Sequence, residues 1–286
     1  MAVPELLATC WTIAGDVRAD TAQNISPFSL EDRIAAAGAA GYTGIGLWHG
    51  DVRRWLETGS YAELRRLLVA AGLRHIELEN LSDWFATGDA RTRSNKVRQR
   101  LFETGAELGA RHLKAMPPFG KGGWSNAQIV DSFGELCREA ACHGLLVALE
   151  MVPFSDWPDL QTTFAPVVEA NADNGGLLID IWHVARSGAH YDEILQIPAR
   201  FILGAEINDA DRAVRGTLYE DTMRHRKFCG EGELDVPLFI ARMTEAGYNG
   251  PYGVEILSDE VRAMTLGDVA RRSFDTARAQ FDCVVA

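Results

Sequence analysis

Four apolar runs in this chain each close on a carboxylate. Leu145-Leu-Val-Ala-Leu-Glu150 is followed by Met-Val-Pro153, and Leu177-Leu-Ile-Asp180 by Ile-Trp-His183. Phe201-Ile-Leu-Gly-Ala-Glu206 leads into Ile-Asn-Asp209, and Pro251-Tyr-Gly-Val-Glu255 into Ile-Leu. An unpaired carboxylate flanked by strand-forming residues is expensive to bury, by several kcal/mol even after relaxation. Singly, each reads equally well as a salt bridge or a solvated strand end. Four on successive strands are a different matter, because like charges aimed into one bowl cannot all stay ionised without a counter-charge. A hard divalent cation held by oxygen ligands would meet that need.

Other groups near the same strand ends fit a site around such an ion. His183 stands three residues past Asp180 and can bond a substrate hydroxyl or support a ligand, although a structural histidine would look the same. Arg226, in Arg224-His-Arg-Lys-Phe-Cys-Gly-Glu-Gly-Glu233, can neutralise excess negative charge or bind substrate oxygens. Trp11, Trp48 and Trp182 offer flat apolar walls, and are equally ordinary core residues.

These residues need a frame that brings their strand ends together. Short runs rich in β-branched and aromatic residues alternate with longer amphipathic stretches about eight times. The pattern predicts strands near Leu6 to Ile13, Thr43 to Leu47, His75 to Glu79, His112 to Met116, Leu145 to Met151, Leu177 to Ile181, Phe201 to Ile207 and Gly253 to Leu257. Capped helices are expected from Ser29 to Gly41 and from Ser60 to Gly72. Ala-Gly recurs at helix exits, as Ala40-Gly41, Ala71-Gly72 and Ala246-Gly247. Eight units, and Ala14-Gly15-Asp16 where a dinucleotide fold would carry GxGxxG, favour an α/β (β/α)8 TIM barrel over a doubly wound open sheet. In such a barrel the C-terminal strand ends form the active face. All 286 residues are expected to form one domain.

Composition narrows the partners. Hydrophobic residues make up 47 % and charged residues 24 %, within the range of self-folding chains. A formal charge of −12 and a pI near 5.1 speak against nucleic acid, whose affinity comes from Lys and Arg on phosphates, and Arg91 to Arg100 reads as a solvated helix face. Five cysteines without metal or disulfide spacing suggest a reducing, cytoplasmic setting. No run approaches a membrane span and no signal peptide is evident, so no membrane partner is expected. No Gly-rich phosphate cradle follows the seventh or eighth strand, although Gly230-Glu-Gly232 leaves phosphate open.

With these pieces in view the sequence resembles the xylose isomerase-like TIM barrels, the sugar phosphate isomerase/epimerase superfamily. The resemblance rests on Leu-Glu150-Met-Val-Pro, Ile-Asp180-Ile-Trp-His183, Glu206-Ile-Asn-Asp209, the R-x-x-x-G-E-G segment from Arg226 to Gly232, and Val-Glu255. It implies a metal held by Glu150, Asp180, Glu206 and Glu255, with Glu150 and Glu255 also moving protons and His183 and Arg226 holding substrate oxygens. Many relatives have His or Gln where this chain has Glu206. An all-oxygen set favours Mn²⁺ or Mg²⁺, with Co²⁺ or Zn²⁺ as lesser choices. The implied activity is isomerisation or epimerisation of a small polyol, keto-sugar or cyclic hydroxyketone through an enediolate. The alternative is a lyase of the inosose or 3-dehydroshikimate dehydratase type. A DNA-repair enzyme of the endonuclease IV type is disfavoured by charge, and a non-catalytic subunit by the four carboxylates. By analogy a homo-oligomer, dimer or tetramer, is expected.

Overall fold

A computed structural model describes residues 4–18, 24–120 and 122–284. Eight strands run parallel in a closed ring: β1 (Leu6–Ala8), β2 (Gly44–Trp48), β3 (His75–Leu81), β4 (His112–Ala115), β5 (Leu146–Glu150), β6 (Gly175–Asp180), β7 (Ile202–Ile207) and β8 (Tyr252–Val254), with β8 paired to β1. Helices lie between them, so the fold is a (β/α)8 TIM barrel, as the alternation predicts.

Side chains alternate across each strand, and the two faces of this sheet differ sharply. Outward-facing Val147, Leu149, Leu177 and Ile179 join one continuous core with the helices. Each fully buried side chain of this size stabilises the fold by about 1.5–3 kcal/mol. Inward-facing Ala148, Leu178 and Leu203 form a separate small apolar cluster inside the ring. The inward positions elsewhere along β3 and β4 are charged. Glu77 and His112 stand opposite each other in register and bond at 2.7 Å, and Glu79 and Lys114 follow two residues later on the same faces.

Local chemistry explains the helix boundaries. Ser29 caps the helix Leu30–Ala40 by accepting from the Asp32 N–H, and Ser60 forms a capping box with Glu63 at the start of Tyr61–Ala70. All three Ala-Gly exits turn through a left-handed glycine, with φ of 106° at Gly41, 73° at Gly72 and 90° at Gly247.

Several strands are shorter than their apolar runs predict, β4, β5 and β7 by a residue or two, and β1 and β8 stop well short at their C-terminal ends. β1 stops at Ala8 because the next residues bond to the end of β8: the Thr9 and Thr12 hydroxyls both donate to the Val254 carbonyl, and the Ile256 N–H donates to Thr12 Oγ1 at 2.7 Å. β8 ends at Val254 for the same reason, leaving Glu255 at the rim. The arginines between Arg91 and Arg100 lie on the helix Gly88–Leu108, and two of them are not merely solvated. Arg91 reaches Glu135 at 2.7 Å and Arg98 reaches Glu139 at 3.3 Å, tying this helix to Asn126–Ala141. Among the described residues no helix is long and apolar enough to cross a membrane.

Two inward glycines make space for carboxylates. A Cβ at Gly46 would lie 2.7 Å from Glu79 Oε1, and one at Gly253 would lie 2.9 Å from Glu206 Cγ and 3.2 Å from Thr9 Cγ2. Gly253→Ala is therefore expected to destabilise the barrel by about 1–3 kcal/mol through overpacking. Urea unfolding checks this, and a midpoint equal to the parent's would mean that Glu206 has room to move.

Candidate active site

The strand ends deliver their carboxylates unequally. Glu150 ends β5, Glu206 sits one residue before the end of β7, and Glu255 lies just past β8; these three offer oxygens within 4.8 Å of one another. Asp180 ends β6 but faces other work. One of its oxygens caps the helix Ile181–Ser187 by accepting from the His183 N–H at 3.0 Å. The other accepts from Asn208 Nδ2 and Arg226 Nη1, each at 2.9 Å. It thus stands apart from the three-carboxylate group, contrary to the four-ligand arrangement implied by the resemblance.

The centre of that group is occupied by a side chain of the protein. Lys114 rises from β4 inside the ring, and its Nζ donates to Glu206 Oε1 at 2.7 Å and Glu255 Oε1 at 2.9 Å, with Glu79 Oε2 at 3.4 Å. Arg226 supplies the second cation. Its Nη1 bonds both Asp180 and Glu255 Oε2, at 2.9 and 3.0 Å, while Nε and Nη2 are fixed by the Thr222 hydroxyl. Glu255 is therefore clamped between two cations. Glu150 has a different neighbour, His183, whose Nε2 lies 3.2 Å from its Oε1. Glu79 is anchored from the other side by the Cys10 N–H.

Burial and charge crowding shape the titration of the cluster. Burial raises the Glu79 carboxyl to about 8, aided by Glu77 and Glu255 and opposed by Lys114. Glu206 is pushed well above the usual carboxylate range, by burial first and then by Glu255. Burial works against the Lys114 ammonium, but Glu206, Glu255, Glu79 and Glu150 outweigh it and hold the charge firmly. Glu77 falls to about 2, because the pull of Lys114 and the bond from His112 overcome its burial.

These groups line a cavity of about 750 Å³ at the C-terminal mouth of the barrel. Trp11, Glu79, Lys114, Glu150, His183, Arg226 and Glu255 face it, and Met116, Phe119, Val152, Phe154, Tyr219 and Leu257 give it an apolar rim. Its size lies in the range typical of small-molecule sites. Trp11 is thus on the wall, as its position in the sequence suggests. Trp48 is not: it packs on Trp11 with ring centres 5.1 Å apart and on His49 at 4.2 Å. Trp182 is an internal support, donating to Asp221 and lying under the Arg226 guanidinium.

Lys114 and Glu79 are the members that the strand-end reading does not single out. Their signal is nonetheless present, as charged residues at alternate positions of otherwise apolar strands, in Glu77-Leu-Glu79 and His112-Leu-Lys114. Asp209 also has a definite task. Its carboxylate accepts from the N–H groups of Ala210, Gly230, Gly232 and Leu234, at 2.8 to 3.0 Å, and so shapes the Gly230-Glu-Gly232 turn. The Gly230 and Gly232 amides are therefore already bonded to the chain's own anion and are not free to cradle a phosphate.

By donor type, the buried triad of Glu150, Glu206 and Glu255 could bind a metal ion. Lys114 tests that fit. Its ammonium bonds two of the three carboxylates, and a divalent ion would compete for the same oxygens while being repelled by the fixed positive charge. An ion at the triad would therefore sit beside a fixed positive charge that already takes one oxygen of Glu206 and one of Glu255, while the second oxygen of Glu206 is left without a partner.

The comparisons with known proteins agree with this architecture. The xylose isomerase-like TIM barrel profile matches residues 34–280, and the chain belongs to that family. Within it, the chain is 25 % identical over 241 residues to a 3-dehydroshikimate dehydratase of Pseudomonas aeruginosa, covering 82 % of this chain and 37 % of that protein. It is 25 % identical over 184 residues to an inosose isomerase of Bacillus subtilis (strain 168), covering 62 % of this chain and 64 % of that one. The chain thus spans little more than a third of the dehydratase's length. Among solved structures, an IOLI protein with a bound zinc atom superposes with a TM-score of 0.84 at 19 % identity over 99 % of both chains. A D-allulose 3-epimerase from Methylomonas sp. does so at 0.69 and 19 %, over 97 % of both chains. Those two likenesses establish the fold.

The raised Glu79 carboxyl has a consequence for stability. Between its ordinary value of 4.5 and about 8 the unfolded chain gives up this proton while the folded chain keeps it, so stability must fall as pH rises across that window. Glu79→Gln removes the titration. Its unfolding free energy relative to the parent's should therefore improve from pH 5 to pH 8.5. A constant difference across that range would mean that Glu79 is already ionised in the folded protein.

Proposed function

We propose that this protein is an enzyme that removes the proton next to the carbonyl of a small, unphosphorylated polyhydroxylated ketone and returns it to rearrange the molecule, as an isomerase or epimerase. The observation that carries the reading is the pairing of Glu150 with His183 in a cavity that the cations Lys114 and Arg226 also line, with Arg226 Nη2 3.4 Å from His183 Nε2. A base and positive charges side by side in a cavity of small-molecule size suit enolate chemistry. Kinship with isomerases and dehydratases of polyhydroxylated rings supports the substrate class.

In this reading Glu150 takes the proton as the α C–H bond breaks, and the electron pair moves onto the carbonyl oxygen. His183 orients Glu150 and bonds a substrate hydroxyl. Arg226 holds a second substrate oxygen, and Trp11 stacks on the carbon skeleton. The acid/base pair implied by the resemblance is not symmetric here. Glu255, bonded by both cations, serves to hold them. Asp180 holds Arg226. Reprotonation of the enediolate by Glu150 at the neighbouring carbon, with the hydroxyl proton passing to the former carbonyl oxygen, completes an isomerisation; an epimerisation takes its proton from a donor on the opposite face.

A second reading is a dehydratase, in which the same enolate expels a β-hydroxyl. The match to the 3-dehydroshikimate dehydratases, which covers more of this chain than the isomerase match does, favours it. The two part at the product, since a dehydratase makes an α,β-unsaturated ketone that absorbs in the ultraviolet.

A panel of inososes, ketohexoses and 3-dehydroshikimate in D₂O tests the common step. Deuterium should enter the carbon beside the carbonyl of an accepted substrate, and Glu150→Gln should slow this by about 10²-fold or more, the usual cost of losing a general base. Turnover with full retention of hydrogen, or a Glu150→Gln variant with parental exchange, would remove Glu150 from the chemistry.

A further inference from the structure

We infer that Lys114 is a built-in replacement for a divalent cation: its ammonium balances the carboxylates at the mouth of the barrel and meets the substrate oxygen on which negative charge develops, so that the site needs no metal ion. The chemical half rests on the proton-abstraction reading above; the cation half rests on geometry alone.

Three independent observations converge. The first is position, since Nζ lies within 3.4 Å of Glu79, Glu206 and Glu255 on three different strands or strand ends, and all four residues are at least nine-tenths buried. The second is the residue type at the end of β7. The Glu206 carboxyl oxygen accepts from the Lys114 ammonium at 2.7 Å, a charge-assisted bond. Lysine on β4 and glutamate on β7 read as one unit, an ammonium donating to a carboxyl oxygen. The third is space and access. Gly253 and Gly46 clear room beside Glu206 and Glu79, while Lys114 still borders the cavity.

The setting also decides which lysine chemistry is available. A Schiff base requires a neutral amine, and three surrounding carboxylates favour the charged form. Lys114 thus acts as a fixed positive hydrogen-bond donor, in the manner of an oxyanion hole. It forms no covalent bond to substrate.

The test needs no substrate. Purified parent protein would be assayed for bound metals by elemental analysis and melted with EDTA and with millimolar Mn²⁺, Mg²⁺ and Zn²⁺. Substoichiometric metal and a Tm indifferent to all four are expected. A full equivalent of metal per chain, with a Tm lowered by EDTA, would overturn the inference. Lys114→Ala, prepared with and without Mn²⁺, turns the argument around. Loss of the ammonium should open the all-oxygen triad to a divalent ion, so Mn²⁺ should bind at one equivalent and raise Tm by several degrees, on the order expected from mass action at saturating ligand. A variant that keeps the parental circular dichroism yet ignores all three ions also overturns it. If Lys114→Ala is insoluble under both conditions, the parent's response to EDTA and Mn²⁺ decides alone. Failure of the deuterium experiment would leave these results standing, and a metal-bound parent would leave the deuterium experiment standing.

Discussion

The contacts of one ammonium with Glu206 and Glu255 hold the upper barrel together electrostatically. At 2.9 Å, and with an effective dielectric near 20, the contact with Glu255 is worth on the order of 6 kcal/mol of gross attraction. That is comparable with the several kcal/mol of effective cost for taking each ion out of water. The cluster is therefore near balance only as a whole. Removing one member would strand its partners as uncompensated buried charges, at about 3–5 kcal/mol. The same dependence runs outward: Glu255 links Lys114 to Arg226, Arg226 links to Asp180, and Asp180 caps the helix that carries His183. The groups that would touch substrate are thus fixed by a chain of opposite charges that begins at Lys114.

The eightfold alternation, the glycine exits and the carboxylates on β5 to β8 are all readable along the chain because they are local signals. Hydrophobic period, helix caps and a charge at the end of an apolar run each involve a few neighbouring residues. What answers those carboxylates is not local. Lys114 meets Glu206 across 92 positions and Glu255 across 141, so only closure of the ring brings them together. A reading confined to strand ends asks what cation could come from outside, and passes over the one inside β4. Asp180 shows the opposite difficulty. Its position at a strand end suggests a ligand, yet it is also the residue before a helix, where a carboxylate caps. Both roles have one sequence pattern, and the bonds from His183, Asn208 and Arg226 separate them.

The interior of the barrel has a vertical order that follows from its polarity. Ala148, Leu178 and Leu203 form the apolar plug, the Glu77 to His112 pair accompanies it, and the Lys114 cluster opens into the cavity. Such a gradient keeps the costly charges where substrate and water can reach their edge. It also accounts for the two inward glycines, which sit where three or four large polar side chains must share one layer.

The turn shaped by Asp209 gives the mouth an uneven stiffness. Four backbone N–H groups converge on one carboxylate, and the segment beginning at Arg226 is further tied to β7 by the mutual backbone bonds of Asp209 and Lys227. A guanidinium carried by such a segment has already lost its conformational freedom during folding, so little ordering entropy remains to be lost when a ligand arrives. The rim also carries Phe119, which is half exposed, and Phe154, whose rings meet at a tilt 5.9 Å apart, with Phe154 edge-on to Tyr219. In the proposed reading a ligand's polar atoms would meet this stiff segment, and its outline would meet aromatic rings packed on one another.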